Sequence, residues 1–111
     1  MKIYTKLFAV IAITAFLNVA AFADTRIRFA KGRTSATVTG RVSTGGRLCY
    51  SAGASVGQRF TATVSSRSGK VVIFESGETS YSYEVEQRGD QSVCVDNLAG
   101  ATTYSLTVSI K

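Results

Sequence analysis

Histidine, proline and tryptophan are absent from the 111 residues, and cysteine occurs only twice. Without histidine there is no ordinary base for a Ser-His-Asp triad near neutral pH. Two cysteines without histidine make no zinc cluster, and no loop has the acidic spacing of a calcium site. No cysteine near residue 23 offers a lipid attachment point, and no twin arginine marks the N-terminal segment. Paired carboxylates are also poorly provided. The acidic candidates are Glu75, Glu78, Glu84, Glu86, Asp90 and Asp96. Of these, Glu84 and Glu86 share one face of a strand, about 6.6 Å apart by two strand rises. They read as the solvated face opposite Tyr81, Tyr83 and Val85 and not as a glycosidase pair. The expectation is a chain with no enzymatic activity, no cofactor and no metal.

What is present begins with an export signal. Lys2 and Lys6 precede an apolar run from Leu7 to Leu17, and Ala21-Phe22-Ala23 forms a small-x-small cleavage site before Asp24. The rival reading is a membrane anchor, since the apolar run from Leu7 to Ala23 could almost span a bilayer. Thr14 and Asn18 interrupt the run, however, and a cleavage site is no part of an anchor. Residues 1–23 are therefore expected to be a signal peptide and 24–111 a single exported domain, periplasmic or secreted, with no membrane span after cleavage. Losing Lys2 and Lys6 leaves 11 basic residues against 7 acidic, a net charge of +4. That favours acidic partners without making a polybasic tail.

Both cysteines, Cys49 and Cys94, lie in the exported part. In an oxidising compartment such a pair forms a disulfide. Closing a loop of that length is worth about 4 kcal/mol in the chain-entropy model. That is a large share of the stability expected for a domain of this size.

The mature chain alternates apolar and polar residues at period two almost throughout. Phe60, Ala62 and Val64 oppose Arg59, Thr61 and Thr63. Ile27 and Phe29 start the pattern, and Ala36, Val38 and Val42 continue it. Leu48, Tyr50 and Ala52 follow, then Tyr81, Tyr83 and Val85, then Val93 and Val95. Tyr104, Leu106, Val108 and Ile110 close it. Turn signals such as Ser43-Thr44-Gly45-Gly46 and Ser76-Gly77-Glu78 separate these runs. The run from Lys70 to Glu75 is apolar on both parities, which predicts a central or two-sided strand. No amphipathic helix interrupts the series. The fold class is all-β, an antiparallel β-sandwich of about eight short strands, with a small barrel as the alternative. On this register both cysteines point outward, so the bridge staples neighbouring strands outside the core.

Two surface features carry possible binding chemistry. Arg26, Arg28, Lys31 and Arg33 could form a basic patch for an anionic polymer, or simply protect an edge strand. No exposed aromatics interleave with them, so nucleic acid is not an expected partner. Arg88-Gly89-Asp90 matches an integrin-read tripeptide but is equally ordinary turn chemistry.

Several stretches resemble a group of small exported bacterial proteins. Ile27-Arg28-Phe29-Ala30-Lys31-Gly32, running on to Val42, resembles their opening. Ala54-Ser55-Val56-Gly57-Gln58 resembles their Ala-x-x-Gly-Gln turn. Gly89-Asp90-Gln91-Ser92-Val93-Cys94-Val95 resembles their Gly-Asp-Tyr-x-Ile-Arg-Val, and the segment from Tyr104 to Lys111 resembles their last strand. The group comprises periplasmic inhibitors of goose-type lysozyme and pre-peptidase C-terminal β-sandwich domains. The resemblance implies a sandwich fold, export, and a non-enzymatic binding role with a lysozyme as target. A carbohydrate- or envelope-polymer-binding module and a purely structural envelope protein are the alternatives. In the inhibitors the segment before the last strand resembles a longer loop bearing Arg and Asn. Here Asp96 to Thr103 is shorter and has no Arg, and the cysteine pair is a further departure. No inhibitory residue carries over.

The cleavage signal sets one expected outcome. The intact mass of exported protein should correspond to Asp24–Lys111, and a membrane-bound chain retaining Met1 would contradict this.

Overall fold

Side chains that are apolar at every second position need a dry surface on one side only, and two sheets closing on each other supply it. The computed structural model describes residues 25–111, so the expected signal peptide and its cleavage site lie outside the described residues. Eight strands follow in order. They are β1 (Thr25–Arg26), β2 (Ser35–Val42), β3 (Arg47–Ala54), β4 (Arg59–Ser66), β5 (Val71–Ile73), β6 (Ser80–Glu84), β7 (Gly89–Asn97) and β8 (Thr102–Ile110). One sheet has the order β1-β3-β7-β5 and the other β2-β8-β4-β6. The expected β-sandwich of eight strands is borne out.

The second sheet is centred on β8. Val108 lies between Ala36 and Ala62, and Leu106 between Val38 and Val64, so the inward parity of three strands lines up row by row. Facing them from the first sheet are Tyr50, Ala52, Val93 and Val95. Phe60, Ile73, Leu106, Val93, Val95 and Val108 are fully buried and make the middle of the core. Tyr81 and Tyr83 on β6 pack against Phe60, with Tyr83 stacked at 5.1 Å between ring centroids.

A pair of phenols meets across the core. The hydroxyls of Tyr50 on β3 and Tyr104 on β8 share a buried hydrogen bond, which gives each the partner a buried phenol needs. Gly40 makes room for it. A Cβ at that position would stand 3.0 Å from the Tyr104 hydroxyl, with no backbone freedom to move aside in mid-strand.

Three details differ from the sequence expectation. Pairing of β1 with β3 is parallel, in sheets that are otherwise antiparallel, and β1 ends at Arg26 although Ile27 still bonds to Ser51. The run from Lys70 to Glu75 is not central: β5 is a three-residue edge strand. Its second apolar parity is Val72 and Phe74 on the outer face, where Phe74 stays 49% exposed with the Arg47 guanidinium against one side of its ring. Finally, β7 continues through Asn97, so the expected loop from Asp96 to Thr103 shrinks to residues 98–101.

The core phenol pair makes stability pH-dependent. Burial, and then the bond to Tyr50, push the Tyr104 hydroxyl far above its ordinary value. An unfolded tyrosine releases its proton near pH 10. The folded chain then holds more protons than the unfolded one, and stability falls as pH rises beyond that point. The urea midpoint should therefore be flat from pH 8 to 9.5 and fall by pH 11.5. Tyr104→Phe should show a smaller fall, and an equal one would contradict the assignment.

Candidate binding surfaces

The end of the sandwich that carries the β2–β3, β4–β5 and β7–β8 loops is organised by one buried amide. Asn97 is 3% exposed and ends β7. Its Nδ2 donates to the carbonyls of Ser43 (2.9 Å), Gly100 (2.9 Å) and Val42 (3.3 Å), and its Oδ1 accepts from the Ala99 amide at 3.1 Å. The Asn97 amide also donates to Gly46, and the Leu98 amide to Lys70. All three loops are thereby fastened together. Leu98 stands at the tip of this assembly, 66% exposed. An apolar side chain in water on a braced loop has the character of a contact residue. Sequence reasoning missed Asn97, although an Asn bonding the backbone two residues on is a recognisable local signal.

On the outer face of the first sheet, Cys49 and Cys94 are directly opposed in the β3–β7 register and joined, with Cα atoms 4.0 Å apart. The expected bridge and its outward parity are both borne out. Cys94 is nevertheless only 8% exposed. The chain leaving β5 covers it: the Phe74 amide donates to the Cys94 carbonyl, and the Cys94 amide donates to Glu75 Oε1 at 3.0 Å. Above it the Arg47 guanidinium lies 3.8 Å from the Phe74 ring centroid and grips Asp96 with two hydrogen bonds. That carboxylate, first through its hydrogen bonds and then through its charge, raises the Arg47 pKa further. The bridge was expected, but Phe74 and Arg47 are far apart in sequence and nothing there advertises their meeting over it.

The proposed basic patch is not one cluster of free charges. Arg26 donates to Asp90 Oδ1 at 2.8 Å, while Arg28, Lys31 and Arg33 are exposed along the connection between β1 and β2. The same ion pair bears on Arg88-Gly89-Asp90. Gly89 and Asp90 are strand residues paired with Ala54 and Gly53, and the Asp90 carboxylate is engaged by Arg26. Only Arg88 of the tripeptide lies in the connection before β7, as an exposed bend residue, while Gly89 and Asp90 belong to the sheet.

Glu84 and Glu86 are exposed, and with Tyr81, Tyr83, Gln87 and Gln91 they border a cleft of about 400 Å³ at the β6 edge. Tyr83 donates to Gln91 Oε1 at 2.5 Å, and Gln91 in turn donates to the carbonyls of Gln87 and Gly89. Burial, followed by the neighbouring Tyr81, raises the Tyr83 pKa. Among the described residues no three of His, Cys, Asp and Glu converge as metal ligands would.

Two packed four-stranded sheets of this kind make a small, mostly antiparallel β-sandwich. Solved structures narrow this further. The chain shares its fold with PliG from Aeromonas hydrophila, a periplasmic inhibitor of g-type lysozyme. The TM-score is 0.69 at 20% identity, covering 80% of this chain and 96% of that one. PliG from Salmonella Typhimurium matches with a TM-score of 0.63 at 20% identity, over 79% of this chain and 97% of that one. A mutant of the Escherichia coli PliG matches at 0.62 and 19% identity, over 79% and 97%. The fold expected from the family resemblance is therefore shown. No family model and no curated protein matches the sequence.

Removing the Asn97 amide strands several carbonyls and one N–H at once. Asn97→Ala should cost about 2–4 kcal/mol in urea unfolding, a sum of ordinary buried hydrogen bonds. A cost below about 0.5 kcal/mol would show that the loops do not depend on it.

Proposed function

We propose that the chain is an exported, non-enzymatic binding protein that inhibits a goose-type lysozyme. The observation supporting this most strongly is that the match runs over 96% or more of each inhibitor structure, so no extra domain in those proteins lacks a counterpart here. The contact element in this reading is the loop end built on Asn97, with Leu98 as its apolar point. A rigid loop loses little entropy on docking, which suits an inhibitor that must fit a cleft as built. The periplasm, named for those relatives, is then the compartment of this chain too, in keeping with its disulfide.

A second reading rests on Arg28, Lys31 and Arg33, which make no ion pair among the described residues. In it the patch holds an anionic envelope polymer, such as lipopolysaccharide, and lysozyme is not the target.

Inhibition of a goose-type lysozyme by the purified exported protein separates the two readings. The first expects inhibition that weakens at least tenfold in Leu98→Asp, since burying an unpaired charge in an interface costs more than 1.4 kcal/mol. It also expects Arg28→Ala/Lys31→Ala/Arg33→Ala to inhibit normally. No inhibition, together with capture by lipopolysaccharide that the triple variant loses, would establish the second reading instead.

A further inference from the structure

The outer face of the second sheet is almost entirely hydroxyl. Reading across β2, β8 and β4, one row is Thr37, Thr107 and Thr63, and the next is Thr39, Ser105 and Ser65. A row bounded by charge follows: Arg41 is paired with Thr103 on one side, and the Arg67 amide donates to the Thr103 carbonyl on the other. Hydroxyls in the rows farther from this end bond one another. Thr37 and Thr107 are 2.9 Å apart, and Thr61 and Ser82 are 3.2 Å apart. At the charged end they do not. Thr39, Ser65, Thr103 and Ser105 direct no hydrogen bond to a described residue, and Arg41 and Arg67 join none of the ion pairs there.

Thr39, Ser65, Arg67, Thr103 and Ser105, with Gly40, Ser66 and Tyr104, line a shallow depression of about 470 Å³, and Arg41 is outside this lining as the strand partner of Thr103. Two strand spacings separate the arginine backbones, about 10 Å. Of the carboxylates flanking β4, Glu84 sits beside Arg59 at the opposite end, while Glu78 lies nearer, just before Thr79, whose carbonyl accepts from the Val64 amide. The end is thus cationic, polar, concave and unpaired. Guanidinium groups take carboxylate or phosphate oxygens bidentately, and a bed of hydroxyls exchanges hydrogen bonds with a polyol.

We propose that this depression is a binding site for an acidic saccharide, with Arg41 and Arg67 holding its anionic groups and the hydroxyl bed between them holding its ring hydroxyls. It is distinct from the patch at Arg28, Lys31 and Arg33, and it does not rest on lysozyme inhibition. Guanidinium recognition accepts carboxylate and phosphate alike, so the saccharide's charge defines the class and either source satisfies it.

The test is calorimetric titration of the exported protein, with no lysozyme present, so its failure leaves the inhibitor reading standing. The probes are hexagalacturonate, a phosphorylated oligomannose and neutral hexa-N-acetylchitohexaose. Binding of either acidic probe, weakened by salt and absent for the neutral one, is the expected result. Arg41→Ala and Arg67→Ala should each weaken it about tenfold, the value of one charge-assisted contact. Arg67→Lys should recover part of that loss. Which acidic probe binds then assigns the source. Equal binding of the neutral probe, inorganic phosphate competing as strongly as the saccharide binds, or unchanged affinity in both alanine variants would overturn the site. So would loss of binding on Arg28→Ala/Lys31→Ala/Arg33→Ala, or no binding of either acidic probe.

Discussion

In the sheet ordered β1-β3-β7-β5, only β3 and β7 are long enough to hold each other, with eight and nine residues against two in β1 and three in β5. A two-stranded ribbon is marginal in water, and the flanking fragments add few ladder bonds. The other sheet has no such weakness, since β2, β8 and β4 each run eight or nine residues in unbroken register. The Cys49–Cys94 bridge joins directly opposed residues of the weak sheet's one long pairing. It limits the unfolded chain and pins the register that sets Tyr50, Val93 and Val95 against the core.

The rest of the molecule attaches to that ribbon. Tyr50 leads from β3 through the core to Tyr104 on β8, joining the two sheets through their hydroxyls. Asn97, at the far end of β7, gathers the three loops of one end. On the outside, Arg47 and Asp96 lie in register on β3 and β7 and hold Phe74 and the β5 turn over Cys94. A shift of β7 against β3 by one residue would separate Cys49 from Cys94 and Arg47 from Asp96 at once. Loop residues on such a frame are positioned by the sheet beneath them, and Leu98, though exposed, is held by its amide on Lys70.

Much of this was legible in the sequence because period two is a strong signal. The alternation of Phe60, Ala62 and Val64 with Arg59, Thr61 and Thr63 is found as read, and so is the outward parity of both cysteines. The failures have physical causes. Val71 to Phe74 reads as a two-sided strand, because a sequence cannot distinguish a second core layer from one half-exposed aromatic ring with a distant arginine against one side. Asn97 reads as loop because its burial depends on three loops converging from separate parts of the chain. The hydroxyls of β2, β4 and β8 were visible as outward residues, but only the order β2-β8-β4 makes them one surface with Arg41 and Arg67 at its end. The expected patch at Arg26, Arg28, Lys31 and Arg33 loses Arg26 to Asp90, a partner supplied by the start of β7.

The disulfide thus holds one sheet far more than the other. Amide hydrogen exchange of the reduced and oxidised protein, followed residue by residue, tests it directly. After reduction, protection should fall on the order of a hundredfold more at Tyr50, Ala52, Val93 and Val95 than at Ala62, Val64, Leu106 and Val108, because the ribbon opens before the β2-β8-β4 sheet does. An equal loss of protection in both sheets, or none in either, would contradict this account.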